Sequence, residues 1–174
     1  MTPEQRTDLV EALEKSRQEF QAAAADVSEE HARAKPEPGR WSVLECVEHV
    51  TVVEERFLGR LEAAPRLESP RVDKEKEAEL AVRVPNRTTK AEAPEPVRPT
   101  GRFSSLAEAL DQFHAARDRT IRFTQDRARD LHWLALEHPR FGPLNGAEFI
   151  VLIAGHARRH AAQIQEVKSV FGTA

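Results

Sequence analysis

Asn145-Gly146-Ala147-Glu148-Phe149-Ile150-Val151-Leu152-Ile153-Ala154-Gly155-His156-Ala157-Arg158-Arg159-His160-Ala161-Ala162-Gln163-Ile164-Gln165-Glu166-Val167 reads as one long amphipathic helix. Asn145 with Glu148 three residues on is a capping box, in which each side chain satisfies an orphan amide of the first turn. Phe149, Leu152, Ile153, His156, His160, Ile164 and Val167 then recur at helical spacing. The helix should end near Gly172, and the segment before it, His138-Pro139-Arg140-Phe141-Gly142-Pro143, has the composition of a turn. Two histidines therefore lie on the face that should turn toward a core.

Three more helices of similar length can be read upstream. Thr2-Pro3-Glu4-Gln5 opens the first, with an apolar stripe of Leu9, Leu13, Phe20, Ala24 and Val27. It should end before Lys35-Pro36-Glu37-Pro38-Gly39. Trp41-Ser42-Val43-Leu44-Glu45-Cys46 opens the second, where Ser42 and Glu45 form the box and Trp41 and Cys46 occupy the positions of a hydrophobic staple. It should run to about Glu62. Ser105-Leu106-Ala107-Glu108 opens the third, with Leu106, Leu110, Phe113 and Ile121 as its stripe. Residues 65–103 hold six of the eleven prolines, and only 73–82 has the pattern of a short helix. A connection of that length inside a small domain reads as a crossover or a functional flap. Four rods of roughly 30 to 42 Å at 1.5 Å per residue, with a short link from helix 1 to 2 and a long crossover from helix 2 to 3, predict an all-α four-helix bundle forming one domain over 1–174. The sequence shows neither an internal repeat nor a β-hairpin signal.

Composition narrows the function classes. Lys and Arg total 26 against 29 Asp and Glu, a net charge of -3. That balance excludes a strong non-specific nucleic-acid binder and a polybasic membrane anchor. Cys46 is the only cysteine, so there is no intramolecular disulfide and no zinc site made wholly of thiolates. No apolar run approaches the ~20 residues of a spanning helix. Residues 1–20 are polar and helix-like, unlike a signal peptide, and the expectation is a cytoplasmic protein.

The candidate site comes from the histidines. Four residues advance a helix by about 400°, so the rings of His156 and His160 lie about 40° apart and ~6 Å along the axis, within reach of one ion. H-x-x-x-H alone is a weak motif, and a hydrogen-bonded pair satisfies it as well. His49 on the second helix has Cys46, Val52 and Val53 as helical neighbours and can also point inward. One ligand from one helix and two from another is how a bundle core builds a metal site. Three neutral imidazoles suit Zn, Ni, Fe or Mn and leave positions open. With Cys46 added, the same set would close a tetrahedral zinc site, although Cys46 reads more simply as a small hydrophobe packed on Trp41.

The remaining polar residues read more plainly. His114 reads as a core-edge residue, and His31, His132 and His138 as loop or surface residues. Glu45 is a cap. Glu48, rotated ~100° from His49, should face another helix or solvent. Gln163 shares the face of His160. The Arg-rich stretch 117–129, interleaved with Asp118 and Asp126, reads as a solvated face.

Taken together, Trp41-Ser42-x-x-Glu45-x-x-x-His49 resembles the start of helix 2 in DinB/YfiT-like proteins. His156-x-x-Arg159-His160-x-x-Gln163-Ile164 resembles their closing segment, and 138–145 resembles their link into the last helix. The resemblance covers nearly the whole chain, with nothing in 65–103 contributing. It implies a bundle of up-down-down-up order, a divalent metal on His49, His156 and His160, and often a homodimer. It also implies, for some members, S-transferase or isomerase chemistry with a low-molecular-weight thiol.

Three functional readings follow. The first is a metal-dependent transferase using such a thiol, which rests on the resemblance alone. The second is a metal-dependent hydrolase, for which no general base can be named. The third is a non-catalytic, metal-stabilised module for stress response or ligand binding. No catalytic residue is assigned.

Overall fold

The computed structural model describes residues 1–88, 92–126 and 130–172. Among these, six α-helices form: α1 Pro3–Ala24, α2 Glu29–Arg33, α3 Val43–Glu62, α4 Lys74–Arg83, α5 Leu106–Gln125 and α6 Gly146–Val170. The four long ones are the predicted rods. Their starts follow from side-chain caps. Thr2/Gln5, Ser42/Glu45 and Asn145/Glu148 all form complete, reciprocal capping boxes.

The predicted box at α5 is only half made. Ser105 accepts from the Glu108 amide, but the Glu108 carboxylate turns back to Ser104. The Leu106 amide is instead taken by Glu29 of α2 at 3.0 Å. The first helix also stops earlier than its stripe predicts. Asp26 adopts a left-handed conformation (φ 61°), and Ser28 caps the separate turn α2. Asp tolerates that conformation through its short polar side chain, and Ser followed by two glutamates starts a new helix more readily than it continues an old one.

Around the bundle, α1 packs on α6 and α5, and α3 packs on α5 and α6. Arg158 of α6 meets Glu19 of α1 at 2.8 Å, and Lys168 meets the Ala25 carbonyl at 3.1 Å, so these two helices advance together. Arg17 meets Asp118 at 2.7 Å while Arg6 reaches the Asp126 carbonyl at 3.0 Å, so α5 runs against α1. Phe57 meets Phe149 while His49 meets His156, so α3 runs against α6. Two apolar clusters fill the interior. One is centred on Leu13, Leu61, Phe149 and Ile150, the other on Phe20, Val47, Phe113 and Ile164.

The crossover is packed. Its helix α4, capped by Asp73, lies along α6. A Cβ at Gly155 would come within 2.9 Å of Val84 and 3.3 Å of Pro85. Only a glycine lets the crossover lie that close to α6, one residue before His156.

Several expectations are corrected. Residues 135–145 form a β-hairpin, β1 Ala135–His138 with β2 Gly142–Asn145, register Ala135↔Asn145 to His138↔Gly142. Each strand is four residues long and β2 contains Pro143, so no alternation long enough to read was available. Arg117, within the supposedly solvated stretch, is fully buried. Its guanidinium meets Glu54 through Nε–Oε1 at 2.6 Å and Nη2–Oε2 at 2.8 Å, and its Nη1 reaches the Leu13 carbonyl and Ser16 Oγ, both at 2.6 Å. Residues 127–129 of that stretch lie outside the described residues. His132 is 2% exposed rather than on the surface, because the short helical turn Leu131–Trp133 sits against α6.

Candidate metal centre

His49 lies on the second turn of α3, which the Ser42/Glu45 box starts and Val43, Val47 and Val50 bury. His156 and His160 lie mid-way along α6, flanked by the buried Ala157, Ala161 and Ile164. Because α3 and α6 pack side by side, the three rings converge. Centroids are 5.1 Å apart for His49–His156, 4.7 Å for His49–His160 and 4.5 Å for His156–His160. One nitrogen from each ring lies within 4.8 Å of the other two. His49 and His160 are 4% and 6% exposed, and His156 is half-buried. Trp41 covers the site from one side, 4.7 Å from the His49 ring and 6.1 Å from that of His160, and Phe57 lies 6.5 Å from His156.

The electrostatics favour neutral rings. Burial holds the imidazolium forms of all three below their ordinary range. His156 and His160 go well below it, where burial is joined by His49 for the former and by His156 and His49 for the latter. A neutral ring has one N–H and one lone pair. His49 Nδ1 lies 2.7 Å from the Val97 carbonyl, which can only accept, so Nδ1 carries the proton and Nε2 presents a lone pair. That Nε2 lies 3.2 Å from His156 Nε2. Two imidazole nitrogens sharing a tetrahedral zinc at about 2.0–2.1 Å would be ~3.3 Å apart. His160 Nδ1 is buried without a hydrogen-bond partner, an arrangement that costs stability unless something binds there. The preset His49 tautomer and one converging nitrogen from each ring fit a divalent cation with imidazole preference.

The structure thus brings the three predicted side chains, His49, His156 and His160, to one place. Cys46 stays outside the converging set. It is fully buried in the apolar cluster that Trp41 packs on, and burial pushes its thiol up to about 12. Gln163 turns to Arg87 at 3.1 Å, and His114 packs on Phe113 at 5.5 Å. His138 is half-buried near Phe57 and Phe141, and burial, helped by Arg60 and Arg140, lowers it to about 4.

Two groups were missed. The Val97 carbonyl is backbone, so no residue type could reveal it. Glu48 faces neither helix nor solvent: its carboxylate is 2% exposed and accepts from the backbone of residues 100–102.

A family model described as the DinB superfamily matches residues 12–164. The uncharacterized protein YuaE of Bacillus subtilis (strain 168) is 25% identical over 146 residues, covering 82% of this chain and 86% of YuaE. Among solved structures, the fold is similar to that of YfiT from Bacillus subtilis, described as a probable metal-dependent hydrolase with an unusual four-helix bundle topology. The TM-score is 0.65 at 16% identity, covering 100% of this chain and 91% of that one. It is also similar to TT2238, a four-helix bundle protein, with a TM-score of 0.61 at 21% identity over 92% of this chain and 98% of that one. Among the described residues no helix is long and apolar enough to cross a membrane.

Proposed function

The chain belongs to the DinB superfamily, and on that premise we propose that it is a divalent-metal protein whose ion is held by His49, His156 and His160. The observation that carries this is the convergence of three neutral imidazoles from two helices, with the His49 tautomer set by Val97. Three protein ligands leave coordination positions for an exogenous group. A cation there lowers the pKa of a bound water or thiol.

The chain's own residues do the rest. Val97 holds the proton on His49 Nδ1, Trp41 excludes water from one side, and the half-buried His156 marks the approach for a substrate.

For the reaction, we propose transfer to or from a low-molecular-weight thiol. No carboxylate joins the three imidazoles among the described residues, and Glu48 already accepts four hydrogen bonds. A free thiol has a pKa of about 8.5 against about 15.7 for water, so beside a bound cation it ionises at neutral pH with less help from a protein base, whereas hydrolysis is best served by one. The second reading is a hydrolase, favoured by the description of YfiT. The third is a non-catalytic module, which a fourth ligand would favour; Cys46 lies outside the converging set and does not supply it. The same proposal takes the chain as one bundle domain in up-down-down-up order, acting as a cytoplasmic homodimer.

The test is consumption of a small thiol in the presence of an electrophile by metal-loaded protein. Metal-dependent consumption that His156→Ala abolishes supports transfer. Hydrolysis of esters or amides without thiol loss moves the assignment to the hydrolase. Neither activity, with metal bound, leaves the non-catalytic module.

A further inference from the structure

Glu48 sits in the sequence immediately before His49, and it is buried. A buried carboxylate is costly unless its lone pairs are satisfied. Here they are satisfied by one short loop. Oε1 accepts from the Thr100 amide at 2.6 Å and from Thr100 Oγ1 at 3.2 Å, and Oε2 accepts from the Gly101 and Arg102 amides, both at 3.1 Å. Gly101 has φ +81°, which lets three successive amides curl around one anion, as in backbone anion nests. The same loop carries Val97, three residues before Thr100, whose carbonyl accepts from His49 Nδ1. Adjacent residues of α3, rotated about 100° from one another, thus grip one loop at two points. Phe103, just beyond this cradle, is buried in the second apolar cluster, and the other polar ties are on the outside: Arg56 reaches the Pro96 carbonyl at 3.3 Å and Arg102 pairs with Glu55 at 2.6 Å. Exposed contacts of that kind contribute little.

We propose that Glu48 is a positioning residue of the metal centre: it anchors residues 100–102 so that the Val97 carbonyl stays on His49 and keeps its Nε2 lone pair aimed at the ion. This rests on the three histidines being the metal ligands. Groups that orient a ligating histidine change metal affinity by about 10- to 100-fold when removed. Glu48→Gln keeps the shape but turns an amide nitrogen toward amide donors, so the cradle loses acceptors and the loop is released.

The experiment is zinc titration against a chromophoric chelator for four proteins: wild type, Glu48→Gln, His49→Ala and the double variant. The expected result is a 10- to 100-fold weaker zinc affinity for Glu48→Gln, with no further weakening when Glu48→Gln is added to His49→Ala. Equal weakening in both backgrounds would overturn the proposal, since Glu48 would then act on the fold at large; so would no change in either. Gly101→Ala provides a second variant should Glu48→Gln fail to fold. Its Cβ meets nothing within 4 Å, so it strains the cradle from the loop side alone. It should weaken zinc binding less, and likewise only when His49 is present. A wild type that takes up no zinc would end the metal reading and this one together. A zinc-binding wild type with an unaffected Glu48→Gln would end this one alone.

Discussion

Among the described residues, two of the polar sets buried between the helices are finished in different ways. Arg117 and Glu54 form a closed set. The guanidinium is matched on both edges by the carboxylate, and its remaining donors go to Leu13 and Ser16. His49, His156 and His160 form an open set. One proton is placed by Val97, two nitrogens face each other at 3.2 Å, and His160 Nδ1 has no partner. Both sets interrupt an apolar interior at the expense of desolvation. The first satisfies itself and needs nothing from outside, so it serves the fold. The second is incomplete as protein alone, so it is the place to look for a ligand.

The largest expected effect comes from breaking the closed set. Arg117→Ala strands the Glu54 carboxylate in the core and should cost about 3–5 kcal/mol in urea denaturation, while Arg117→Met combined with Glu54→Leu should recover most of it. A loss below ~1 kcal/mol for the single variant would mean that Glu54 reaches water and that the two sets are not so different.

Completing the open set should give the next largest effect. Zinc at a hundredfold excess over its Kd should stabilise the wild type by about 2.7 kcal/mol, read as a rise in melting temperature that His156→Ala abolishes. Without metal, His160→Leu should lie within ~1 kcal/mol of wild type, because an unpartnered polar atom is replaced by an apolar group of similar size. A penalty as large as that of Arg117→Ala would show that the imidazoles are satisfied by the protein itself.

A smaller effect concerns pH. His138 is lowered to about 4 in the fold from an unfolded value near 6.5, and the three clustered imidazoles are lowered too. The unfolded chain therefore takes up protons first. Stability of the metal-free protein should be flat above about pH 6.5 and fall as pH drops toward 4. In denaturation series at several pH values, His138→Phe should flatten part of that slope. Stability that rises on acidification would contradict the burial assigned to these rings.

The difference between the two sets also explains how much could be read in advance. The histidine set was legible because each member belongs to a local helical pattern: His156 and His160 on the stripe of α6, and His49 one turn after a capping box. The rods were legible for the same reason, through Thr2, Ser42, Ser105 and Asn145. The Arg117–Glu54 pair was not. Arg117 sits among alternating charges that resemble a wet surface, and only the packing of α3 against α5 turns it inward. Glu48 and Val97 were invisible for a related reason. Their partners lie 52 and 48 residues away, and one partner is a backbone carbonyl, which every residue carries. The hairpin at 135–145 escaped because a proline and a four-residue length erase strand periodicity.

The most direct test of the account is elemental analysis of the protein purified without an affinity tag, alongside His49→Ala, His156→Ala and His160→Ala. The account predicts one equivalent of a divalent transition metal per wild-type chain after loading and dialysis, and a clear loss in each variant. Metal content left unchanged by the three substitutions, or no metal retained by the wild type, would contradict it.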